Sequence, residues 1–244
     1  FVELETPTLT KATPEGARDY LVPSRLHKGE FYALPQSPQI YKQILMVAGF
    51  DRYFQMARCF RDEDMRSDRQ PEFTQIDVEA SFVEPEDILV WMEGLMVRLA
   101  EVAELDAPVP FPRLTWADAM ERYGSDRPDL RYSIEIHDWT AQTADLGFRM
   151  IDAAVADGGR VRGLRLEGGA KLSRRQIGII EDRAKAAGAP GLLWAKHTEE
   201  GSSGPLGKFF GAGHAESMGL GAGDLALVAV GPDSLTSPAL DAAR

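Results

Sequence analysis

Two runs of alternating residues, separated by a charged segment, constrain the fold of this chain more than any other feature. In the first run, residues 53–60, Phe54, Met56 and Phe60 share one parity. In the second run, residues 73–82, one parity is largely apolar and the other carries Gln75, Asp77 and Glu79. Because side chains alternate between the two faces of a strand, both runs predict β-strands. We expect an antiparallel pair, with Ile76, Val78 and Phe82 anchoring the second strand in the core.

The segment between the two strands is dense in charge of both signs. Its charged residues are Arg61, Asp62, Glu63, Asp64, Arg66, Asp68 and Arg69. One interpretation is a solvated hairpin tip, since exposed turns are commonly charged. The other is a cleft in which arginines face phosphates or carboxylates while acids face an ammonium or a magnesium-bound nucleotide. The polar strand face next to the loop favours the cleft.

A helix is predicted just before the first strand, over about residues 38–48. Ser37 can cap it, Pro38 suits its first turn, and Gly49 can end it. Its expected apolar face is made of Ile40, Ile44, Leu45 and Val47. Gln39 and Lys42 are three residues apart near the positive end of the helix dipole, which suits a carboxylate or phosphate. An ordinary surface lysine remains the alternative for Lys42.

The rest of the chain predicts one long helix and then a second unit. Pro85 opens an amphipathic helix whose apolar face should pack against a partner element, and a proline-rich connector follows at 106–112. A short capped helix is expected from Thr115 to Tyr123. We place the domain boundary between residues 131 and 132.

The second unit is expected to be a compact α+β domain. The pair Ser173 and Gln176 predicts a capping box that starts a helix ending near Gly188. Apolar runs at 161–166, 191–195 and 225–230 predict its strands. Glycine clusters punctuate this unit without the spacing of a Walker loop, so turns are favoured over a phosphate site.

Composition narrows the class of protein. Hydrophobic residues make up 44% and charged residues 27%, and no apolar run has the length of about 20 residues that a membrane span needs. The single Cys59 excludes an intrachain disulfide framework and fits the reducing cytoplasm, and the four histidines lack metal-ligand spacing. With a net charge of −11, any polyanion would have to be bound by local arginines. We therefore expect a cytoplasmic protein with no membrane segment and no metal held by its own side chains.

Three stretches, residues 6–25, 34–39 and 58–79, resemble class II aminoacyl-tRNA synthetases specific for aspartate. The last stretch covers the whole of the family's motif 2, and the first holds the proline-bearing end of its motif 1. The resemblance implies an α+β fold in which residues 1–131 form part of the antiparallel-sheet catalytic core. Residues 132–244 are similar to the smaller α+β insertion domain of bacterial-type members, which is shared with amidotransferase subunits.

The resemblance also implies a role for each site residue. Arg61 would be catalytic, bridging the amino-acid carboxylate and the α-phosphate of ATP. The expected aspartate site consists of Glu15, Gln39, Lys42, Arg61 and Asp77, with Glu15 near the ammonium and Lys42 paired with the side-chain carboxylate. The expected ATP site consists of Arg61, Asp62, Glu63, Gln70 and Phe73, with Phe73 stacked on adenine. Ser37 and Arg69 would contact the acceptor end of tRNA.

The implied activity is ATP-dependent ligation of L-aspartate to tRNA through an aspartyl-adenylate, with Mg²⁺ accompanying ATP. The implied partners are tRNA(Asp), with tRNA(Asn) left open, and a second copy in a homodimer. The family's motif 3 is not recognised in residues 1–244, so we expect this stretch alone to lack adenylation activity. Its first residues lack an initiator methionine and suggest a start within a domain.

Two other functions stay open at the level of sequence. An ammonia-dependent asparagine synthetase also adenylates aspartate but needs no tRNA, and the insertion domain argues against it. A tRNA-binding module without catalysis would not need Glu15, Lys42, Arg61, Gln70 and Asp77 together.

Overall fold

The computed structural model describes residues 1–13, 16–65, 69–211 and 213–244. The chain divides into two compact units, Phe1–Phe111 and Pro112–Arg244. The division falls earlier in the chain than the boundary expected between residues 131 and 132. The helix Trp116–Tyr123 packs on elements of the second unit, which explains the difference. Within the described residues, no helix is both long enough and apolar enough to cross a membrane.

The first unit contains two sheets and two helices in its described part. In chain order its elements are β1 (Val2–Glu3), β2 (Leu21–Pro23), β3 (Phe31–Ala33), α1 (Gln39–Val47), β4 (Arg52–Phe60), β5 (Glu72–Ala80) and α2 (Pro85–Val102). The order β1-β4-β5 forms one sheet, in which β4 and β5 are antiparallel and β1 lies parallel to β4. The predicted strand pair and both predicted helices are therefore confirmed.

The prediction of which β5 face enters the core was wrong. Ile76 is 46% exposed and Phe82, which lies beyond the strand, is 98% exposed, whereas Asp77 is only 8% exposed. Directly opposed residues of an antiparallel pair share a face, and Gln55 is opposite Asp77. The buried Tyr53, two residues before Gln55 and opposite Glu79, lies on the same face. Helix α1 packs against β4 and β5. The polar side chains on this face can be buried because they pair with one another.

The apolar faces predicted for both helices are largely exposed in the described chain. In α1, Ile40, Ile44 and Val47 are 48%, 56% and 90% exposed, and the buried residue of this helix is Lys42. No residue of α2 is buried. The N-cap position of α1 is Pro38, one residue after the Ser37 that the sequence suggested.

The second unit is a five-stranded antiparallel sheet covered by helices on both faces. Its elements are α3 (Trp116–Tyr123), β6 (Ile136–Asp138), α4 (Arg149–Ala156), β7 (Arg160–Leu166), α5 (Arg174–Ala186), β8 (Leu193–Thr198), β9 (Gly201–Ser203), α6 (Gly204–Gly207), α7 (His214–Ser217), β10 (Leu225–Gly231) and α8 (Asp233–Ala243). The strand order is β6-β7-β10-β8-β9. The predicted α+β class, the capped α3 and the Ser173 capping box of α5 are confirmed.

Strand β10 explains why both faces of this sheet are covered. Leu225 and Leu227 join one apolar cluster, while Ala226 and Val228 join the other. The first cluster takes in residues of α5 and α8, and the second takes in residues of α4, α6 and α7. A central strand with both faces apolar is stable only when both are covered.

A buried arginine ties α3 to this sheet. Arg162 on β7 is only 1% exposed, and it donates to Ser237 Oγ at 2.7 Å and to the backbone oxygen of Glu121 at 2.5 Å. Beside it, Arg160 pairs with Glu121, Asp138 and Asp233 at 2.7 to 3.0 Å. These contacts join α3 to the second unit, which begins at Pro112.

Candidate functional site

A buried lysine paired with two carboxylates lies between α1 and β5. The Lys42 Nζ atom is 2.9 Å from Asp77 Oδ1 and 3.4 Å from Glu79 Oε2. The lysine and aspartate side chains are 11% and 8% exposed, and that of Glu79 is 28% exposed. Asp77 and Glu79 are two residues apart on β5 and so share a face, which one lysine from the helix above can reach. This cluster excludes the surface-lysine interpretation of Lys42.

The lysine in this cluster is held in its charged form. Burial by itself lowers the pKa of Lys42, but the hydrogen bond and charge of Asp77, with the charge of Glu79, outweigh it and raise the pKa above the usual value. A buried ammonium with N–H groups directed at acids can also bind a ligand carboxylate, provided that the negative charges around it are balanced.

A polar layer lies beneath the cluster on the same sheet face. Tyr53 is fully buried and its hydroxyl donates to Gln55 Oε1 at 2.6 Å, and the Thr6 hydroxyl donates to the same oxygen at 3.0 Å. Burial and then the charge of Asp77 raise the pKa of Tyr53.

A cavity of about 400 Å³ lies at the loop end of the same strand pair. Its lining is Arg61, Glu63, Asp64, Arg69, Gln70, Pro71 and Phe73. The Arg61 guanidinium lies over the Phe73 ring at 5.1 Å from the centroid, and Arg69 is 3.6 Å from Glu63. The cavity combines two cations, an aromatic ring and an amide, which are groups that bind phosphates and a purine.

Two predicted site residues lie apart from this cavity. Ser37 lines a second, smaller cavity of about 140 Å³ that it shares with Ile40 and Tyr41. The Asp62 carboxylate is 3.4 Å from the Arg18 guanidinium, and its backbone N–H bonds to the Arg18 oxygen at 3.1 Å. Asp62 therefore connects Arg18, in the stretch of residues 6–25, to the loop between β4 and β5. It does not line the cavity.

The structure groups most of the predicted residues but not all of them. Lys42 and Asp77 form the buried cluster, while Arg61, Glu63, Gln70, Phe73 and Arg69 share the larger cavity. Gln39 is half-buried at the first position of α1, one helical turn from Lys42. Glu15 lies outside the described residues, as do Arg66 and Asp68 of the charged loop.

Sequence reasoning missed Glu79 and Tyr53 as members of the cluster. Glu79 was placed on the polar face, but its contact with Lys42 depends on the position of α1. A tyrosine in a strand usually indicates packing in the core. The one sequence feature that could have identified Tyr53 is that it lies two residues from Gln55 and so on the same face of β4. In the part of the chain that the structure describes, no group of three or more His, Cys, Asp or Glu side chains is placed to hold a metal ion.

Comparison with known proteins gives consistent matches. The model for class II tRNA synthetases (D, K and N) matches residues 1–210. The chain is 52% identical over 250 aligned residues to the aspartate–tRNA(Asp/Asn) ligases of Bacillus cytotoxicus and Bacillus cereus, and equally to the aspartate–tRNA ligase of Halalkalibacterium halodurans. Each alignment covers 100% of this chain and 42% of the relative. The chain thus spans less than half the length of these curated relatives.

Proposed function

Since the chain belongs to the family of class II tRNA synthetases (D, K and N), we propose that it carries the aspartate and nucleotide sites of an ATP-dependent aspartate–tRNA ligase. The observation that carries this proposal is the buried cluster of Lys42, Asp77 and Glu79, which lies on the same strand pair as the arginine-lined cavity. One end of this strand pair suits a small dicarboxylic amino acid, and the other suits a nucleotide.

Selection of aspartate follows from the charge of Lys42. A substrate side-chain carboxylate receives hydrogen bonds from the ammonium, while Asp77 and Glu79 hold that ammonium in place. The neutral amide of asparagine would gain less from the ammonium and would direct its own N–H groups at a cation. Gln39, one turn before Lys42, and Glu15 would complete the site, with Glu15 near the substrate ammonium.

Nucleotide binding is assigned to the larger cavity. Phe73 offers its ring to adenine and lies next to Arg61, and Glu63 and Gln70 supply polar contacts to ATP. Asp62 contributes by fixing the loop through Arg18 rather than by direct contact. Mg²⁺ would enter bound to the phosphates of ATP and neutralise part of their charge.

Arg61 would act in the chemical step. An oxygen of the substrate α-carboxylate attacks the α-phosphorus, the bond to the bridging oxygen breaks, and pyrophosphate leaves. Negative charge builds on the phosphorus oxygens in the transition state, and a fixed guanidinium stabilises it. In the second step a hydroxyl at the 3′ end of tRNA attacks the acyl carbon and AMP leaves.

The remaining partners follow from the same proposal. Ser37 and Arg69 would contact the acceptor end of tRNA(Asp), and charging of tRNA(Asn) is a further activity to be tested. We propose a homodimer of the full-length protein, working in the cytoplasm where translation uses charged tRNA.

The test is aspartate-dependent exchange between pyrophosphate and ATP by the full-length protein that contains this sequence. We expect exchange with aspartate, much weaker exchange with asparagine, and transfer of labelled aspartate to tRNA. Exchange without tRNA charging, together with asparagine formation from ammonia, would indicate an asparagine synthetase. Binding of tRNA without exchange would indicate a module that does not catalyse.

A further inference from the structure

The backbone on both sides of Arg61 is bonded to distant parts of the chain. Before it, the Phe60 N–H donates to the backbone oxygen of Pro35 at 2.9 Å. After it, the Asp62 N–H donates to the backbone oxygen of Arg18 at 3.1 Å. The position of Arg61 therefore depends on how firmly Pro35 and Arg18 are themselves held.

One buried side-chain amide fixes Arg18 from both sides. Gln36 is 4% exposed, and its Nε2 atom donates to the backbone oxygen of Ala17 at 2.9 Å and to Oδ1 of Asp19. With two N–H groups, this nitrogen can serve both acceptors. Ala17 and Asp19 are the residues immediately before and after Arg18. The backbone of Arg18 is thus held at both of its ends by the same amide.

The Asp19 carboxylate strengthens this contact. Its Oδ1 accepts from Gln36, and its Oδ2 accepts from the backbone N–H of Thr13 at 3.2 Å. A hydrogen bond to a charged acceptor is stronger than one to a neutral acceptor. Gln36 also directly follows Pro35, whose oxygen accepts from Phe60. The two contacts that flank Arg61 are therefore connected to each other through Gln36.

We propose that Gln36 is a positioning residue for Arg61: its buried amide fixes Arg18, and Arg18 holds the backbone of the loop directly after Arg61. Gln36 acts through these contacts and supplies no group to the reacting atoms. A guanidinium stabilises the charge of the transition state best when it is already in place, so a small displacement lowers the rate. This inference rests on the proposed function, because it concerns the step in which Arg61 acts.

The direct test is Gln36→Glu in the full-length protein, measured by aspartate-dependent exchange between pyrophosphate and ATP. The substitution keeps the shape of the side chain, removes both N–H donors and places a carboxylate against that of Asp19. Displacement of Arg61 should lower kcat about 100-fold, while the aspartate KM changes less than about threefold because the Lys42 cluster is intact. A raised aspartate KM at unchanged kcat would overturn the proposal, since it would assign Gln36 to substrate binding.

Gln43→Glu is the matched control for the chemical change. Gln43 lies at an exposed position of α1, so its substitution should change kcat by less than about twofold. A loss of kcat as large as that of Gln36→Glu would overturn the proposal.

A second substitution tests the bond between residues 19 and 36. Adding Asp19→Asn to Gln36→Glu re-forms this bond with donor and acceptor exchanged, because the asparagine amide can donate to the new carboxylate. It also removes the repulsion between two acids. We expect kcat of the double variant to be about tenfold above that of Gln36→Glu. A double variant no more active than Gln36→Glu would overturn the proposal.

Backbone hydrogen–deuterium exchange follows the proposed link directly and covers the case in which Gln36→Glu does not fold. Asp19→Asn alone is milder, because an amide nitrogen replaces one of the two oxygens that accept from Gln36 and Thr13. We expect the amides of residues 61–65 to exchange about fivefold faster than in the wild type, and those of β5 at the same rate. Unchanged exchange at 61–65, or equal acceleration in β5, would overturn the proposal.

The wild-type full-length protein distinguishes this inference from the proposed function. If it shows no aspartate-dependent exchange between pyrophosphate and ATP, the proposed function is wrong. If it shows this activity and Gln36→Glu leaves kcat unchanged, this inference alone is wrong.

Discussion

At the scale of the residue, the buried ammonium of Lys42 is stabilised by the two carboxylates that it faces. The Lys42 side chain is 11% exposed, that of Asp77 is 8% exposed, and that of Glu79 is 28% exposed. Removing one member of such a group leaves uncompensated charge in a poorly solvated place. The cluster therefore has consequences for stability that can be measured in this chain without any enzymatic assay.

Lys42→Met should destabilise the first unit. The methionine keeps much of the volume but leaves two carboxylates facing each other, so we expect the free energy of unfolding to fall by about 3 to 5 kcal/mol. Urea unfolding followed by circular dichroism measures this. Lys28→Met, at an exposed lysine of the same unit, should change it by less than about 0.5 kcal/mol. Adding Asp77→Asn to Lys42→Met should recover part of the loss, and failure to recover any would contradict the pairing.

Arg61→Lys in the full-length protein should show whether catalysis needs only the positive charge of Arg61 or also the planar shape of its guanidinium. Lysine keeps the positive charge but lacks the planar guanidinium that lies over Phe73 and could contact two oxygens at once. We expect kcat for exchange to fall about 100-fold or more. Arg58→Lys is the control, because Arg58 lies on the other face of β4 and pairs with Glu72 at 3.1 Å. Equal effects of the two substitutions would argue against a role for Arg61 in the chemical step.

At the scale of the element, the sheets of the two units differ in what their faces contain. In β5 the buried face is polar, whereas both faces of β10 are apolar. On the neighbouring strand β7, Gly163 leaves room for close packing against the Trp139 ring and β10. A Cβ built at Gly163 would be 2.4 Å from the Trp139 ring and 2.5 Å from the Leu227 oxygen. A larger residue at this position would push the Trp139 ring and β10 away from β7.

A pair of glycine substitutions tests this packing. Gly163→Ala should lower the free energy of unfolding of the second unit by about 1 to 3 kcal/mol, because of the clash with Trp139 and Leu227. Gly178→Ala, within α5 and with no atom within 4 Å of the added Cβ, should raise it by about 0.5 to 1 kcal/mol. Thermal and urea unfolding of the two variants give both values. A neutral Gly163→Ala would mean that the Trp139 ring and β10 can move away from β7 without cost.

At the scale of the whole molecule, each unit is stabilised by a different kind of buried polar contact. The first holds the Lys42 cluster. The second holds the Arg162 network and Asp224, a 4% exposed aspartate before β10. The Asp224 carboxylate accepts from the backbone N–H groups of Gly221 and Gly168 at 2.9 and 3.1 Å, and from Arg165 at 2.8 Å.

Asp224 should make the second unit sensitive to acid. Burial raises the pKa of Asp224, but the hydrogen bonds from Gly221, Gly168 and Arg165 outweigh it and hold the pKa below its usual value. Because the folded-state pKa is lowered, the stabilisation is fully present above the unfolded-state pKa and is lost as the pH falls through the folded-state pKa. Unfolding measured from about pH 6 down to about pH 2 should show this loss in the wild-type chain.

Asp224→Asn is the matching variant for this titration. It should be less stable at pH 6 by about 1 to 3 kcal/mol and should lose less stability on acidification, since its amide does not titrate. Asp157→Asn, at an exposed position, should follow the wild-type curve. A variant with the same acid dependence as the wild type would show that other groups control the response.

Much of the element structure could be predicted from local patterns. Strands β4 and β5, the helix starts near Pro38 and Pro85, and the capping box at Ser173 all follow from spacing and caps, which are short-range properties. The family could also be recognised, because residues 58–79 combine an unusual set of charges with two strands. Burial of each face could not be predicted, because it depends on elements far apart in the chain.

What the sequence by itself determined is the α+β class, the family to which the chain belongs and nine of its elements: α1, α2, α3, α5, β4, β5, β7, β8 and β10. Only the tertiary structure decided that Asp77 is buried while Ile76 is exposed, and that Lys42 lies between two carboxylates with Tyr53 beneath them. It also decided that α3 belongs with the second unit. The reason is physical: periodicity records which residues share a face, but the charge and burial of that face depend on which distant element packs against it.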